Sequence, residues 1–135
     1  MINAYAIPMT VHNMMNTDHA EEVKLLNYIE WLMDSKAPET ILSKALESYF
    51  EHIRMHAANE EKMMREVCYP AYKQHKIEHR RMLNGLKNAI LDWRATKQIR
   101  RLRKHICRKA PIWLNKHICK MDTVAADYIA ASKRH

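Results

Sequence analysis

Apolar side chains recur every three or four residues along four stretches of the chain, a spacing that places them on one face of an α-helix. The four stripes are Val23, Leu26, Ile29 and Met33; Leu42, Leu46, Tyr49, Ile53, Met63 and Val67; Tyr72, Met82, Leu86 and Ile90; and Ile99, Leu102, Ile106, Ala110, Trp113, Met121, Val124 and Tyr128. The chain has 1 glycine and 4 prolines, which leaves little material for the tight turns of a many-stranded sheet. The pattern predicts an all-α fold, an antiparallel up-down four-helix bundle.

The predicted helices cover roughly residues 18–35, 38–67, 70–91 and 97–132, after an N-terminal arm of residues 1–17. Pro38 and Pro70 stand where the second and third helices would begin. A chain of 135 residues is long enough for one domain with a buried core and short for two. We therefore expect a single domain over residues 1–135.

Polar residues interrupt the stripes at positions that face the predicted bundle axis. They are His19 at the head of the first stripe, His56 and Glu60 in the second, His75 and His79 in the third, and His117, followed five residues later by Asp122, in the fourth. A carboxylate buried without a cation, or an imidazole buried without a partner, costs several kcal/mol. A metal site in the bundle core satisfies both kinds of group.

The ligand types restrict the metal. Histidine and carboxylate without cysteine disfavour copper(I) and iron–sulfur clusters, and they suit iron, manganese or zinc. Seven donors are too many for one tetrahedral zinc ion, and carboxylates can bridge two ions. Two metal ions therefore fit this set best.

The tetrapeptide Lys-His-Ile-Cys occurs twice, at residues 104–107 and 116–119. At about 100° per residue, Ile106 lies in line with His117, whereas His105 is turned from His117 by about 120°. Asp122 follows His117 by five residues, and Ala110 holds the matching position after His105. The sequence therefore predicts that His117 faces the axis and that His105 does not.

Four stretches of the chain resemble the hemerythrin family, specifically its single-domain bacterial members. The resemblance covers about residues 19–128, and the last three stretches match the family motif in residue type and spacing. The four are "HAEEVKLLNYI", "HAANEEKMM", "YPAYKQHKIEH" and "WLNKHICKMD".

This resemblance implies a non-haem diiron centre. It implies that His75, His79 and His117 bind one iron, that His19 and His56 bind the other, and that Glu60 and Asp122 bridge the pair with an oxo or hydroxo group. The second iron would keep an open position, where dioxygen binds in the family. Trp113, Leu114 and Ile118 match the apolar wall of the family's dioxygen pocket.

Two positions of the predicted pocket depart from the family pattern. Ala57 replaces the phenylalanine that is usual after the second-helix ligand, which would widen the pocket. Glu22 stands where an apolar residue is usual. A third carboxylate near the open iron would compete with dioxygen or supply protons, and the alternative is that Glu22 extends to solvent.

The first-helix ligand also departs from the pattern, because Asn16 replaces the usual aspartate three residues before the ligand. His12 is therefore a rival to His19. Asn27, eight residues after His19, matches the family spacing and favours His19.

Three functions are compatible with such a centre. The leading prediction is reversible dioxygen binding for storage, transport or delivery, without enzymatic activity. The second is a diiron peroxidase or oxidase, for which Glu22 and Ala57 are the motivation. The third is a sensor of oxygen, iron or nitric oxide.

Charge is distributed unevenly along a chain whose net charge is +8. Between Trp93 and Met121 there are ten Lys or Arg residues and no acid. The stretch from Arg94 to Lys109 is thus a candidate surface for an acidic protein or an anionic membrane, with a solvated helix face as the simpler interpretation. Nucleic acid is disfavoured because the block lacks a recognisable reading motif.

The cysteines and the chain start bear on the compartment. The 3 cysteines, Cys68, Cys107 and Cys119, form no Cys-x-x-Cys pair, which argues against a disulfide framework. The start "MINAYAIPMT" lacks the features of a signal peptide, and no apolar run approaches the length of a membrane span. We therefore expect a cytoplasmic protein with reduced thiols.

Overall fold

The computed structural model describes residues 8–133, and its secondary structure over that range is helical. Helix α1 spans Asn13–Asp34, α2 spans Glu39–Glu66 and α3 spans Tyr72–Thr96. The fourth helix, α4, is a continuous run of five segments, Ile99–Lys104, His105–Lys109, Ala110–His117, Ile118–Asp122 and Thr123–Lys133. The predicted all-α four-helix bundle is confirmed. Within residues 8–133, no helix is long and apolar enough to cross a lipid bilayer.

Short connections make successive helices antiparallel neighbours. Residues 35–38, 67–71 and 97–98 link the four helices, and α4 packs back against α1 to close the bundle. Each connection contains one non-glycine residue in the left-handed region, Lys36 (φ 53°), Cys68 (φ 52°) or Lys97 (φ 60°). This conformation ends helices and is usually taken by glycine, because other residues lose about 1–2 kcal/mol there.

Helix α1 begins earlier than the predicted boundary at residue 18, so the arm is shorter than residues 1–17. His12 caps the helix, because its Nδ1 accepts a hydrogen bond from the Met15 amide at 3.4 Å. The Asn16 side chain makes two hydrogen bonds, of 2.8 and 2.9 Å, to the backbone of Thr10. These local bonds stabilise a helical turn that the apolar stripe does not reveal.

Helix α3 likewise continues past the predicted end at residue 91. Trp93 is 4% exposed and extends the buried face of the helix by one turn. Its burial explains why the helix ends only at Thr96.

The apolar core has a large layer at one end of the bundle, a smaller layer at the other end, and a third cluster of Val23, Leu114 and Ile118. The larger fills the end of the bundle near connections 35–38 and 97–98, and it includes Leu32, Leu46, Tyr49, Leu86 and Leu102. The smaller lies at the other end and consists of Met15, Met64, Ala125, Ala126 and Ile129. Between the layers lie the buried polar residues, so the predicted metal site occupies the core of the bundle.

The predicted stripe of α4 is correct as far as Ala110 and again at His117, but its apolar positions from Trp113 onward are wrong by one residue. Trp113, Met121, Val124 and Tyr128 were expected to be buried, and the buried residues are Leu114, Asp122, Ala125 and Ile129. The cause is the π-helical hydrogen bonding of the segments His105–Lys109 and Ile118–Asp122. A π turn contains an extra residue, so a constant period of 3.6 fails beyond it.

Helix α2 shows a smaller deviation near its C-terminal end. Met64 is fully buried, whereas the expected Met63 and Val67 are partly buried. Over 28 residues the face of a straight helix drifts away from a strict alternation of three and four steps.

Candidate metal centre

All seven predicted ligands are buried and lie in one layer of the bundle. Their exposed fractions range from 0% for Glu60 and Asp122 to 9% for His56. Their ligand atoms form two groups, and within each group the atoms lie within 4.8 Å of one another. The first group contains Glu60, His75, His79, His117 and Asp122, and the second contains His19, His56, Glu60 and Asp122.

Three imidazoles converge in the first group. The Nε2 atoms of His75 and His79 lie 3.2 and 3.1 Å from Oε1 of Glu60. The Nε2 atoms of His75 and His117 lie 2.9 and 3.0 Å from Oδ1 of Asp122. His75 and His79 are one turn apart on α3, which places both rings on the same face.

Two imidazoles converge in the second group. Nε2 of His19 lies 2.8 Å from Oδ2 of Asp122 and 4.0 Å from Oε2 of Glu60. Nε2 of His56 lies 2.6 Å from Oε2 of Glu60, one helical turn along α2. This group therefore has one imidazole fewer than the first.

The two carboxylates belong to both groups, with one oxygen for each. Oε1 of Glu60 and Oδ1 of Asp122 face the three-histidine group. Oε2 of Glu60 and Oδ2 of Asp122 face the two-histidine group. This is the geometry of two carboxylates that bridge a pair of neighbouring cations.

The electrostatics of the cluster also favour cations. Burial alone would raise the pKa of Glu60, but the neighbouring histidines, His56 first, lower it well below its usual range. Burial would lower the pKa of His75, but the neighbouring carboxylates of Asp122 and Glu60 raise it to about 9. Protons on the imidazoles thus balance two buried carboxylates, and a metal ion can replace them.

The convergent atoms fit a metal for a second reason. Nε2 of His75 and of His117, Oε2 of Glu60 and Oδ1 of Asp122 are buried and make no hydrogen bond of good geometry within the described residues. Buried polar atoms without hydrogen bonds are uncommon in folded proteins, and a shared cation satisfies all four. The donor set of imidazole and carboxylate suits iron, manganese or zinc.

Comparison with known proteins agrees with this geometry. The family model of the hemerythrin HHE cation binding domain matches residues 10–129. The chain belongs to the hemerythrin family. The bacteriohemerythrin of Aquifex aeolicus (strain VF5) is 27% identical over 115 residues, which cover 85% of this chain and 87% of that protein. No solved structure matches the chain significantly.

As a member of the hemerythrin family, the chain contains a cation-binding domain. The geometry distinguishes the two candidate histidines of the first helix. His19 lies in the second group, whereas the ring of His12 caps α1. His12 is thus bound to backbone at the helix start and does not join either group. The structure in this respect favours His19 over its rival.

Two carboxylates that the sequence reasoning missed support the ligand histidines. The Nδ1–H of His56 donates to Oδ2 of Asp18 at 2.8 Å, and the Nδ1–H of His79 donates to Oε2 of Glu61 at 3.0 Å. Such bonds fix the ring orientation and leave Nε2 free for a metal. The sequence contained one signal, because each acid directly precedes or follows a ligand.

The π-helical segment Ile118–Asp122 brings the two α4 ligands together. In a regular α-helix, residues five apart differ by about 140° around the axis. Here the Thr123 amide bonds to the Ile118 carbonyl, so the turn holds an extra residue and Asp122 returns beneath His117. His105, in the first tetrapeptide, lies outside both groups, as the sequence predicted.

A small cavity adjoins both ligand groups, since His79 and His117 line it as well as His19 and His56. Its volume is about 10 Å³, room for one molecule the size of water, and its walls include His19, His56, Ala57, Trp113 and Leu114. The expected wall residue Ile118 is not among those around the cavity and packs with Val23 and Leu114. Four of the five expected pocket residues, Glu22 included, thus line it.

Glu22 is buried, so the alternative that it extends to solvent is wrong. Its exposed fraction is 3%, and burial raises its pKa to about 7. The fully buried Tyr49 lies close enough that the charge of Glu22, after burial itself, raises the pKa of the Tyr49 hydroxyl. Glu22 can therefore hold or release a proton near neutral pH at the cavity wall.

The basic stretch from Arg94 to Lys109 is partly neutralised by other helices. Arg94 pairs with Glu47 at 3.1 Å, Arg101 with Asp92 at 3.5 Å and Arg103 with Asp34 at 2.6 Å. All three are exposed pairs, which contribute little to stability. Binding of an acidic protein or an anionic membrane here stays a prediction.

Proposed function

We propose that the seven ligands hold two iron ions and that the protein binds dioxygen reversibly at this centre, as a store, carrier or deliverer of dioxygen rather than an enzyme. The observation that carries the proposal is the sharing of both carboxylates between a three-histidine and a two-histidine group. The second ion would have one protein ligand fewer, and both of its histidines, His19 and His56, line the cavity. Because every helix contributes ligands to one centre, we also propose that residues 1–135 form one domain.

The seven ligands divide between the two ions. His75, His79 and His117 hold one ion, His19 and His56 hold the other, and Glu60 and Asp122 bridge them. Two ferrous ions held by these residues would supply the two electrons that reversible dioxygen binding requires. Asp18 and Glu61 keep the rings of His56 and His79 in orientation through their hydrogen bonds.

The cavity walls explain how water would be excluded. Leu114 and Ala57 are 2% and 3% exposed, and Leu114 packs with Val23 and Ile118. Apolar walls of this kind restrict access of water and protons to the centre. A cavity of about 10 Å³ also limits the ligand to a molecule of very few atoms.

Absorption spectroscopy of the iron-loaded protein tests the proposal. We expect two irons per chain and, after anaerobic reduction, a visible band that appears in air and disappears when the solution is purged with inert gas. A protein that holds no stoichiometric iron, or a spectrum that never reverses, would contradict it.

The two tetrapeptides provide a matched pair of variants for this test. His117→Ala removes a ligand, and we expect affinity for the ion of the three-histidine group to fall at least about 100-fold, with loss of the visible band. His105→Ala alters the same tetrapeptide outside the cluster and should leave both iron content and band unchanged. Equal loss in the two variants would contradict the assignment.

A second function, a diiron peroxidase or oxidase, is favoured by one observation. Glu22 is buried at the cavity wall and has a pKa of about 7, so it can deliver a proton at neutral pH. Glu22→Gln keeps the shape of the side chain and removes this ability. If the protein is a peroxidase, hydrogen peroxide consumption should fall about 100-fold or more in Glu22→Gln. Unchanged turnover at full iron content would count against this function.

A further inference from the structure

A groove that the proposed function does not use opens between α3 and α4. Its volume is about 620 Å³, which is within the range of small-molecule sites. Ile77 and Arg81 line it from α3, and Trp113, Lys116, Lys120 and Met121 line it from α4. It also reaches the ring of His117, so its floor is the outer side of the metal centre.

The rim of the groove is positively charged. Arg81, Lys116 and Lys120 contribute three cations, and the acidic residue among the lining residues, Glu78, pairs with Arg81 at 3.0 Å. Lys116 and Lys120 are one turn apart on α4, so both ammonium groups can approach the same anion.

A second depression of about 230 Å³ shares Glu78, Arg81 and Trp113 with the groove and extends it along the same helices. Lys109 and His105 line this extension. Burial, followed by the charges of Lys109 and Arg101, lowers the pKa of His105 to about 4. The neutral imidazole is consistent with the positive field that the lysines and arginines create here.

The middle of the groove is apolar. Ile77 is 48% exposed, and Met121 and Trp113 are partly buried beside it. The Trp113 ring stacks on the His117 ring, with 4.3 Å between centroids and an interplanar angle of 13°. Trp113 and His117 also line the inner cavity, so these two stacked rings form the wall between the groove and the cavity.

We propose that this groove binds a small organic anion. A flat apolar body would lie against Ile77, Met121 and Trp113, and a phosphate or carboxylate group would lie between Lys116, Lys120 and Arg81. Apart from the His117 ring at its floor, the site uses none of the seven ligands and does not depend on which metal they hold. Through the Trp113–His117 stack, a bound ligand would contact the wall of the metal centre.

Three probe molecules test separately whether the groove recognises a flat body and whether it recognises an anion. Flavin mononucleotide has a flat body and a phosphate, riboflavin has the body alone, and inorganic phosphate has the anion alone. We expect the metal-loaded full-length protein to bind flavin mononucleotide at least tenfold more tightly than either of the others, measured by flavin fluorescence and calorimetry. If riboflavin binds as tightly as flavin mononucleotide, the lysines have no role. If inorganic phosphate binds as tightly, the apolar wall has no role. If flavin mononucleotide does not bind, the proposed site is wrong.

Variants locate the site. Lys116→Ala combined with Lys120→Ala should weaken binding of flavin mononucleotide about tenfold, the sum of two exposed charge interactions. Lys24→Ala combined with Lys44→Ala removes the same charge from exposed positions on α1 and α2 and should have no effect. Ile77→Glu, at an exposed position, should abolish binding while circular dichroism and metal content stay normal. Unchanged binding in both groove variants would overturn the proposal.

Discussion

The two Lys-His-Ile-Cys tetrapeptides lie on one helix and each overlaps a π turn, but the two turns have different causes. The first π turn, His105–Lys109, ends two residues before Pro111. Proline lacks an amide hydrogen and its ring clashes with the carbonyl four residues earlier, so the backbone itself accounts for an irregular turn there. The second, Ile118–Asp122, has no proline and joins two of the predicted ligands, His117 and Asp122. One turn is explained by local covalent structure and the other by the site it builds.

The two histidines have different neighbours. The His105 ring packs beside Gly85 of α3, and a Cβ placed on that glycine would lie 3.5 Å from its Cε1. His117 meets His75 of α3 at 4.6 Å between ring centroids and Asp122 at 3.0 Å. Burial lowers the pKa of both rings, but cations add to this effect at His105 and Asp122 opposes it at His117. Identical local sequence therefore does not specify a shared role.

Deletion of single residues would break the comparison most severely. Removing the exposed Asn115 turns His117 about 100° away from the axis, since it shortens a regular α-helical segment. We expect loss of metal binding by at least about 100-fold, measured as metal per chain after dialysis. Removing the exposed Cys119 instead shortens the π turn to an α turn and leaves Asp122 four residues after His117, on the same face. That variant should keep its metal, and equal loss in both would refute the role of the π turn.

A second test places an aspartate five residues after His105, as Asp122 stands five residues after His117. Ala110 holds the position that matches Asp122, and it is 3% exposed within the large apolar core. Ala110→Asp should destabilise the protein by about 3 kcal/mol, because the new carboxylate is buried without a cluster of imidazoles. Chemical denaturation at pH 7 measures the effect. Val124→Asp, at a 52% exposed position of the same helix, serves as control and should change stability by less than about 0.5 kcal/mol. Binding of an additional metal ion by Ala110→Asp would contradict the conclusion that, within the described part of the chain, His105 has no other ligands near it.

The pH dependence of stability gives the smallest effect. Burial first, then Lys109 and Arg101, hold the pKa of His105 at about 4, below its usual 6.5. The unfolded chain therefore takes up a proton first as pH falls, so the stabilisation present above pH 6.5 is lost between pH 6.5 and 4. The loss amounts to about 2 kcal/mol after allowance for partial solvent exposure.

The variant His105→Gln isolates this contribution. Metal-free wild type should lose about 2 kcal/mol more than His105→Gln between pH 7 and pH 4.5, by urea denaturation at each pH. Identical losses of stability in the two proteins would mean that the pKa of His105 is the same in the folded and the unfolded chain.

Much of the bundle and of the ligand cluster was predictable from the sequence, because both depend on helical periodicity. The stripe of α1, from Val23 to Met33, is buried as expected, and the interruptions by His56, Glu60, His75 and His79 face the axis. Periodicity fails where hydrogen bonding changes type, which is why Tyr128 is exposed and Ile129 is buried. The five-residue step from His117 to Asp122 was a usable signal, since two ligands can share a face at that spacing only if the turn is widened.

The supporting acids were less predictable for a different reason. Asp18 is adjacent to His19, yet its hydrogen bond goes to His56, 38 residues away on another helix. Such a partner follows from the rotation of α1 against α2, which one sequence does not specify. The early start of α1 was missed because it rests on the polar bonds of His12 and Asn16, whereas the prediction followed apolar residues.

The contact between His19 and Asp122 joins residues separated by 103 positions, from the first helix to the last. Contacts of such long sequence separation form late, since the chain must first close a long loop. We expect a cation held by both residues to bind only after the bundle has assembled. It would then slow unfolding, and so lengthen the lifetime of the folded protein, while the rate of folding stayed almost unchanged.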